Sequence, residues 1–403
     1  MTNTPNETPR RSRRRTLLLS ALAAGAVTAG LLGATVAERR GDGGHRTNAA
    51  LQRDVDALTA LGATGVQARL TGPDGPDATA VGGVADVTTR QPVPADGYFR
   101  IASVTKAFVA TVVLQLVAEG KLTLDDTVES RLPGVVSGNG NDGRAITVRD
   151  LLQHRSGLHD DYPDYTSAED FQQHRNDTVT AEQTVARAVA HQPDFRPGTQ
   201  WSYGNTGYVL LGMIVERVTG HPWHQEVHDR IVRPLALDHT SRPGATPALP
   251  QPHAATYQRF QDGGPLVDVT EQVGMGTNGE AGLISTTADL DRFFAALLGG
   301  KLLPPAQLAQ LQQTVPVGQD VEPLMPGARD GLGLFSRPLS CGGLYWGHDG
   351  GDSGWITATG TTSDGRRAVT VSLSGVQIAS PDDAVRIAAA ENTLIDHALC
   401  GSD

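Results

Sequence analysis

Apolar positions along this chain recur with one of two periods, and the places where the period changes divide it. From Ala50 to Leu61 the residues Leu51, Val55, Leu58 and Leu61 fall at helical spacing and predict an amphipathic helix. Two short runs follow, Gly65 to Leu70 and Ala78 to Val84, separated by Gly72-Pro73-Asp74-Gly75-Pro76, which predicts a hairpin. Ile101 to Ala118 breaks both patterns: it is apolar on every side, as a helix buried all round is. The middle, about 122–303, alternates helical patterns with long polar loops. There Tyr208 to Val218 reads as a helix, and Thr286 with Asp289 fits a capping box ahead of Leu290, Phe293, Phe294 and Leu297. After Gly331 the period is two: Gly342 to Gly347, Trp355 to Thr361 and Ala368 to Leu373 predict strands, the last two joined at Ser363-Asp364-Gly365-Arg366. A helix from Asp382 to Leu399 closes the chain. Strands at both ends of a helical middle predict an α+β fold, with one antiparallel sheet built from both chain ends, flanked by helices, and a helical lobe inserted. The expected sheet lobe takes about 50–120 and 304–402, and the helical lobe about 121–303.

The N-terminus stands outside this pattern. Arg10, Arg11, Arg13, Arg14 and Arg15 precede an uncharged stretch from Thr16 to Ala37, and Glu38, Arg39 and Arg40 follow, which is the layout of an export signal over residues 1–37. The arginine cluster fits the twin-arginine type, with a Sec signal as the alternative. The uncharged stretch is also long enough to span a bilayer as an uncleaved anchor, but Gly and Ala dilute its hydrophobicity in favour of cleavage. Residues 38–49 read as a flexible tether, and 50–402 as one domain placed outside the cytoplasm. The net charge of −11 becomes about −15 without the signal, which argues against nucleic acid and anionic lipid as partners. In an oxidising compartment the two cysteines, Cys341 and Cys400, read as a disulfide tying the last helix to a preceding segment, with two buried free thiols as the alternative.

The chemistry is concentrated at one charge. Lys106 is the only charged residue between Ile101 and Ala118, and it follows Ser103 by three positions, on the same helix face. The chain has three lysines, Lys106, Lys121 and Lys301, among 33 basic residues, and the one in the apolar run is the one behind the serine. Burial favours a neutral amine, which can take a proton from a neighbouring hydroxyl; an arginine could not. Ser103 and Lys106 are thus a candidate nucleophile and base, although Ser103 alone also reads as a helix N-cap. His221, His224 and His228, with Glu226, have a spacing a zinc site could use, but they also suit a polar helix face, and no cofactor or metal is expected.

Two further motifs follow in order: Tyr203-Gly204-Asn205, before the helix at Tyr208, and His348-Asp349-Gly350, at the end of a C-terminal strand. Singly, these read as a core tyrosine, an N-cap and a hairpin turn. Together, Ser-x-x-Lys, Tyr-x-Asn and His-x-Gly resemble the penicillin-recognising serine hydrolases, a family of DD-peptidases, class C β-lactamases and esterase relatives. The resemblance extends over about Ala50 to Cys400, and is similar in detail to secreted D-alanyl-D-alanine carboxypeptidases of actinomycete type. It implies that Ser103 forms an acyl-enzyme, with Lys106 or a Tyr203 phenolate as base, and that Tyr203 shuttles the proton onward. Asn205 would bond substrate and Lys106, and the amides of Ser103 and Gly351 would form an oxyanion hole. His348 would orient Tyr203, with a charge that varies near neutral pH.

Where such carboxypeptidases bind the substrate's terminal carboxylate, this chain departs. Asp349 and Gly351 replace threonines, Asp352 follows, and the place of an arginine falls on Phe335, with Arg337 two residues on. Carboxylates facing the cleft, with more in the loop His159 to Tyr165, would repel an anionic substrate end. Alternatively, Asp349 points away and Arg337 substitutes. The expected function is D-alanyl-D-alanine carboxypeptidase-like hydrolysis of a small peptide; the alternatives are an esterase or D-aminopeptidase/amidase, and a penicillin- or peptidoglycan-binding protein without turnover. β-Lactams are expected acylating inhibitors. The chain is expected to be a monomer, touching membrane only through an uncleaved N-terminal segment.

Overall fold

The computed structural model describes residues 48–401 apart from 74, 76, 163, 262, 275–277 and 379. The signal and nearly all of the tether therefore lie outside the described residues. Asn48 opens helix α1 (Ala49–Ala60) by accepting the amides of Ala50 and Leu51. The hairpin follows as β1 (Gly65–Thr71) and β2 (Ala78–Gly83). From the C-terminal part come β3 (Phe335–Pro338), β4 (Leu344–Gly347), β5 (Gly350–Asp352), β6 (Trp355–Thr362) and β7 (Ala368–Ser374). β7 pairs antiparallel with β1, Gly65 opposite Ser374, and so joins the two chain ends in one sheet. The strand order is β2-β1-β7-β6-β4-β3, continued by two short strands at Arg329–Asp330 and Val315–Pro316; β5 pairs with β6 alone, which leaves its other edge open.

Strand alternation gives this sheet two unlike faces. Val66, Ala68, Ala358, Val369, Val371 and Leu373 pack with Leu51, Val55 and Leu58 of α1 and with Ile387, Leu394, Ile395 and Leu399 of the terminal helix α5 (Pro381–Cys400). The opposite face carries Gln67, Arg69, Thr357, Thr359, Thr361, Thr370, Ser372 and Ser374, all buried. Against it lies α4 (Thr287–Leu298), whose Asp291 accepts hydrogen bonds from Thr71 and Thr370. Cys341, in the turn between β3 and β4, is bonded to Cys400 at the end of α5, with sulfurs 2.00 Å apart.

The larger core forms around α2 (Thr105–Ala118), buried on almost every side as its composition predicts. Expected with the sheet lobe, α2 packs on both parts of the chain: on α3 (Thr206–Thr219) and the short helix Trp223–Val227 from the middle, and on the short helix Pro305–Leu311 from the C-terminal part. Phe108 stacks on Phe293 of α4 with ring centroids 3.7 Å apart. Each large side chain buried here contributes about 1.5–3 kcal/mol, enough in sum to carry one buried amine. The capping box at α4 is half formed. Thr286 accepts the Asp289 amide, but the Asp289 carboxylate bonds the His239 amide and the Thr240 hydroxyl, so it ties α4 to a neighbouring loop instead. Among the described residues no helix is long and apolar enough to cross a membrane.

Candidate active site

Ser103 lies in a tight 3-10 turn, Ala102–Val104, that runs directly into α2. Its side chain makes no capping bond to that helix, so the N-cap reading does not apply and the hydroxyl is left for other partners. Ala102 has φ +44°, a left-handed conformation that costs a non-glycine residue of order 1 kcal/mol and recurs at functional turns. β5 presses against this turn. A methyl group on Gly350 would stand 2.3 Å from the Ile101 carbonyl oxygen and 3.2 Å from the Ser103 amide nitrogen, so the glycine of the His-x-Gly motif is what lets the strand edge reach the serine. Gly351, by contrast, faces open space.

Lys106 is fully buried, and its Nζ donates to three oxygens: Ser103 Oγ at 2.8 Å, Asn205 Oδ1 at 2.9 Å and the Glu280 carbonyl at 2.9 Å. The last two can only accept, so two N–H bonds are committed and any change of protonation falls on the Ser103 side. Burial pushes Lys106 far below the ordinary lysine range, toward neutrality, against the pull of Glu280 and Asp160.

Asn205 holds the N-cap position of α3 without capping it. The loop predicted to overhang the cleft supplies the cap instead: Asp160 accepts from the amides of Asn205 and Thr206, at 2.8 and 3.0 Å, and from the Thr206 hydroxyl. Asp160 also accepts from Asn205 Nδ2, which turns the amide oxygen toward Lys106. The other carboxylates of that loop are partly engaged as well, Asp161 with Arg187 and Asp164 with the Tyr165 amide.

Tyr203 presents its ring to Lys106, whose Nζ is 5.1 Å from the centroid. Burial outweighs the lowering pull of the nearby Ser103 hydroxyl and drives the phenol well above the ordinary tyrosine range. Of the two candidate bases left open, burial disfavours a Tyr203 phenolate and favours a Lys106 that gives up its proton easily. The Tyr203 ring is positioned by His154, which packs against it at a tilt with centroids 4.3 Å apart and is itself at φ +52° with Nδ1 against Gly204. His348 lies on the other side, its ring centroid 6.4 Å from that of Tyr203.

The expected charge change of His348 near neutral pH is also corrected. Burial, helped by the Lys106 charge, pushes His348 down to about 3, so the ring is neutral. Nδ1 lies 2.6 Å from the Asp349 carbonyl and must carry the proton to bond it. Nε2 is then an acceptor with no protein partner among the described residues. Thr359 fixes the backbone by bonding both the amide and the carbonyl of His348, each at 2.9 Å.

Asp349 does not offer a free carboxylate to the cleft, which corrects the expectation of repulsion from this residue. In the link between β4 and β5 it pairs with buried Arg337, which also bonds Asn392 at 2.6 Å and Tyr345. The Asp349 carboxylate overcomes the burial of Arg337 and holds its charge above even the ordinary arginine range. Phe335, at the place of the expected arginine, packs on His348 with ring centroids 5.2 Å apart. Beside the pair, burial and Asp349 push Glu391 up to about 8.

Sequence reasoning missed Asp160, His154 and Glu280. Glu280 had a signal: it is the only charged residue between Glu271 and Asp289, as Lys106 is in its own run. His221 pairs with Glu226 and His228 with Asp229, and among the described residues no group of His, Cys, Asp and Glu is arranged to hold a metal.

The profile of the Beta-lactamase family matches residues 51–392. A D-stereospecific amidohydrolase from Streptomyces sp. superposes with a TM-score of 0.77 at 37% identity, covering 88% of this chain and 99% of that one. A D-amino acid amidase from Ochrobactrum anthropi SV3 gives a TM-score of 0.75 at 26% identity, covering 88% and 98%. Penicillin-binding protein 4 of Amycolatopsis lactamdurans is 38% identical over 155 residues, which span 38% of this chain and 39% of that relative. With the fold and the family motifs matching together, the chain belongs to the β-lactamase family of serine hydrolases.

Proposed function

We propose that this protein hydrolyses amides and esters of the D-amino acid type through an acyl-serine intermediate, outside the cytoplasm. Neutral Lys106 takes the Ser103 proton as Oγ attacks the substrate carbonyl. The Ser103 and Gly351 amides receive the developing oxyanion. Tyr203 gives its hydroxyl proton to the departing amine or alkoxide and recovers one from Lys106, so no net proton is gained or lost. A water then cleaves the acyl ester by the same relay in reverse.

The observation that carries the substrate reading is the Arg337–Asp349 pair. A guanidinium near His348 is a natural anchor for a terminal carboxylate, and here the protein's own carboxylate takes it. With Glu280, Asp160 and Asp352 also near the cleft, uncharged or cationic acyl donors are favoured over a free C-terminal carboxylate. The names of two structural neighbours, a D-stereospecific amidohydrolase and a D-amino acid amidase, agree with that preference, and the N-terminal arginine-rich segment and the disulfide support export.

The test compares kcat/KM for a D-alanyl-D-alanine peptide, the same peptide with its C-terminus amidated, and a D-amino acid amide, with Ser103→Ala as blank. The expected result is at least a tenfold preference for the two amides, about 1.4 kcal/mol. Equal rates on the free acid and its amide would support the carboxypeptidase reading instead.

A further inference from the structure

Glu280 has no part in the relay just described, yet it is fully buried and meets Lys106 through its own carbonyl. Its carboxyl is gripped from two sides: Oε2 accepts the Asn278 amide at 3.0 Å, and Oε1 receives the Tyr162 hydroxyl at 3.4 Å. We propose that Glu280 is a positioning residue of the nucleophile, whose buried carboxyl group, charged or neutral, sets how tightly Lys106 holds the proton it must lose before it can accept from Ser103. The inference rests on the reading of Ser103 and Lys106 as nucleophile and base.

Lys106 Nζ bonds Ser103, Asn205 and the Glu280 backbone carbonyl, and the Glu280 carboxyl bonds Asn278 and Tyr162, so the carboxyl acts on the amine through its charge across a short buried gap and not through a shared hydrogen bond. Burial disfavours the charged form of each partner, so Lys106 is driven down and Glu280 up until their ranges meet. The surroundings of Lys106 are Asp160 and the rings of Tyr203 and Tyr208, with His154 and His348 both kept neutral by burial and by the lysine's charge. Around Glu280 stand Lys106, Tyr162 and Arg242. The charge on Glu280 favours the ammonium, so removing it must release the lysine's proton at lower pH.

The test follows the rate of Ser103 labelling by a fluorophosphonate against pH, a readout that needs no natural substrate. In the full chain the rate should rise with pH through neutrality. Glu280→Gln keeps the shape and removes the charge; its acid limb should move down by about one pH unit or more. Tyr162→Phe removes a bond that favours the carboxylate and should move the limb the same way by less. A limb that stays in place in both variants, even with slower labelling at every pH, assigns Glu280 a merely structural role and overturns the proposal, as does a limb that moves up. If Glu280→Gln does not fold, the Tyr162→Phe profile decides by the same criterion. Wild-type protein that is not labelled at Ser103 at any pH refutes the nucleophile reading itself, and this inference with it.

Discussion

Two buried cations lie on either side of His348, each beside a carboxylate, and they behave in opposite ways. Lys106 touches the Glu280 backbone carbonyl, whereas Arg337 grips the Asp349 carboxylate itself. Without direct contact between the charged groups, burial wins at the first pair: the lysine is driven down and the glutamate up. At the second pair the direct ion pair outweighs burial, and a guanidinium has no accessible neutral form in any case. One arrangement is suited to moving a proton and the other to holding a fixed charge, and the difference follows from a few ångströms of geometry and the identity of one cation.

The most forceful way to break the comparison is to make the mobile pair resemble the fixed one. Lys106→Arg keeps a positive charge but removes the base, and kcat/KM on any accepted amide should fall by roughly 10³ or more in steady-state assays. Retained activity would mean that the base is elsewhere. Tyr203→Phe leaves the pair intact but cuts its route to the leaving group; single-turnover kinetics should show a loss on the order of 10²-fold in acylation, within the usual range for a proton-transfer group. In the wild type, kcat/KM should rise with pH as Lys106 loses its proton, and His348 should add no inflection near neutrality, because its ring is already neutral above about 3.

Asp349→Asn attacks the fixed pair. Arg337 is left without its direct partner, a loss that costs several kcal/mol in a fully buried pair. Here the Asp349 side chain is 34% exposed and Glu391 stands by to ionise, so denaturant unfolding should show a smaller loss, about 2 kcal/mol. The same variant frees the guanidinium, and the rate on a free-acid peptide relative to its amide should rise. The smallest effect serves as a control without a cation in direct contact. Asp291, between α4 and the hydroxyl-bearing sheet face, is pushed up to about 8 by burial. Its folded-state value lies above its unfolded one, so wild-type stability should decline as pH rises from about 4 to 8. Asp291→Asn should remove that slope, so that denaturant unfolding shows stability raised at pH 8 and little changed at pH 4.

Much of this site was legible because burial is written into composition. An eighteen-residue run with a single charge requires a helix surrounded by other elements, and that charge can only be a functional one or a costly one. The hairpin, the period-two strands and the closing helix were legible for the same reason, their side chains sorting cleanly between faces. What could not be read was direction. Asp349 in an open cleft and Asp349 turned back onto Arg337 have the same sequence, and only the neighbour across the strands decides between them. The charge state of His348 could not be read for a related reason: its burial depends on packing against Phe335 and on the Thr359 bonds, both from neighbouring strands. Asp160 was read as part of a repulsive rim because its use as the cap of α3 depends on a loop crossing to a helix 45 residues further on. Glu280 carried a signal of the same kind as Lys106, a lone charge in an apolar and small-residue run, and it went unread.

Intact-mass and peptide-mapping spectrometry after a fluorophosphonate or β-lactam challenge tests the central claim most directly. A single adduct on Ser103, absent from Ser103→Ala and formed far more slowly by Lys106→Arg, is the result this account predicts. An adduct on another residue, or one whose rate ignores Lys106, would contradict it.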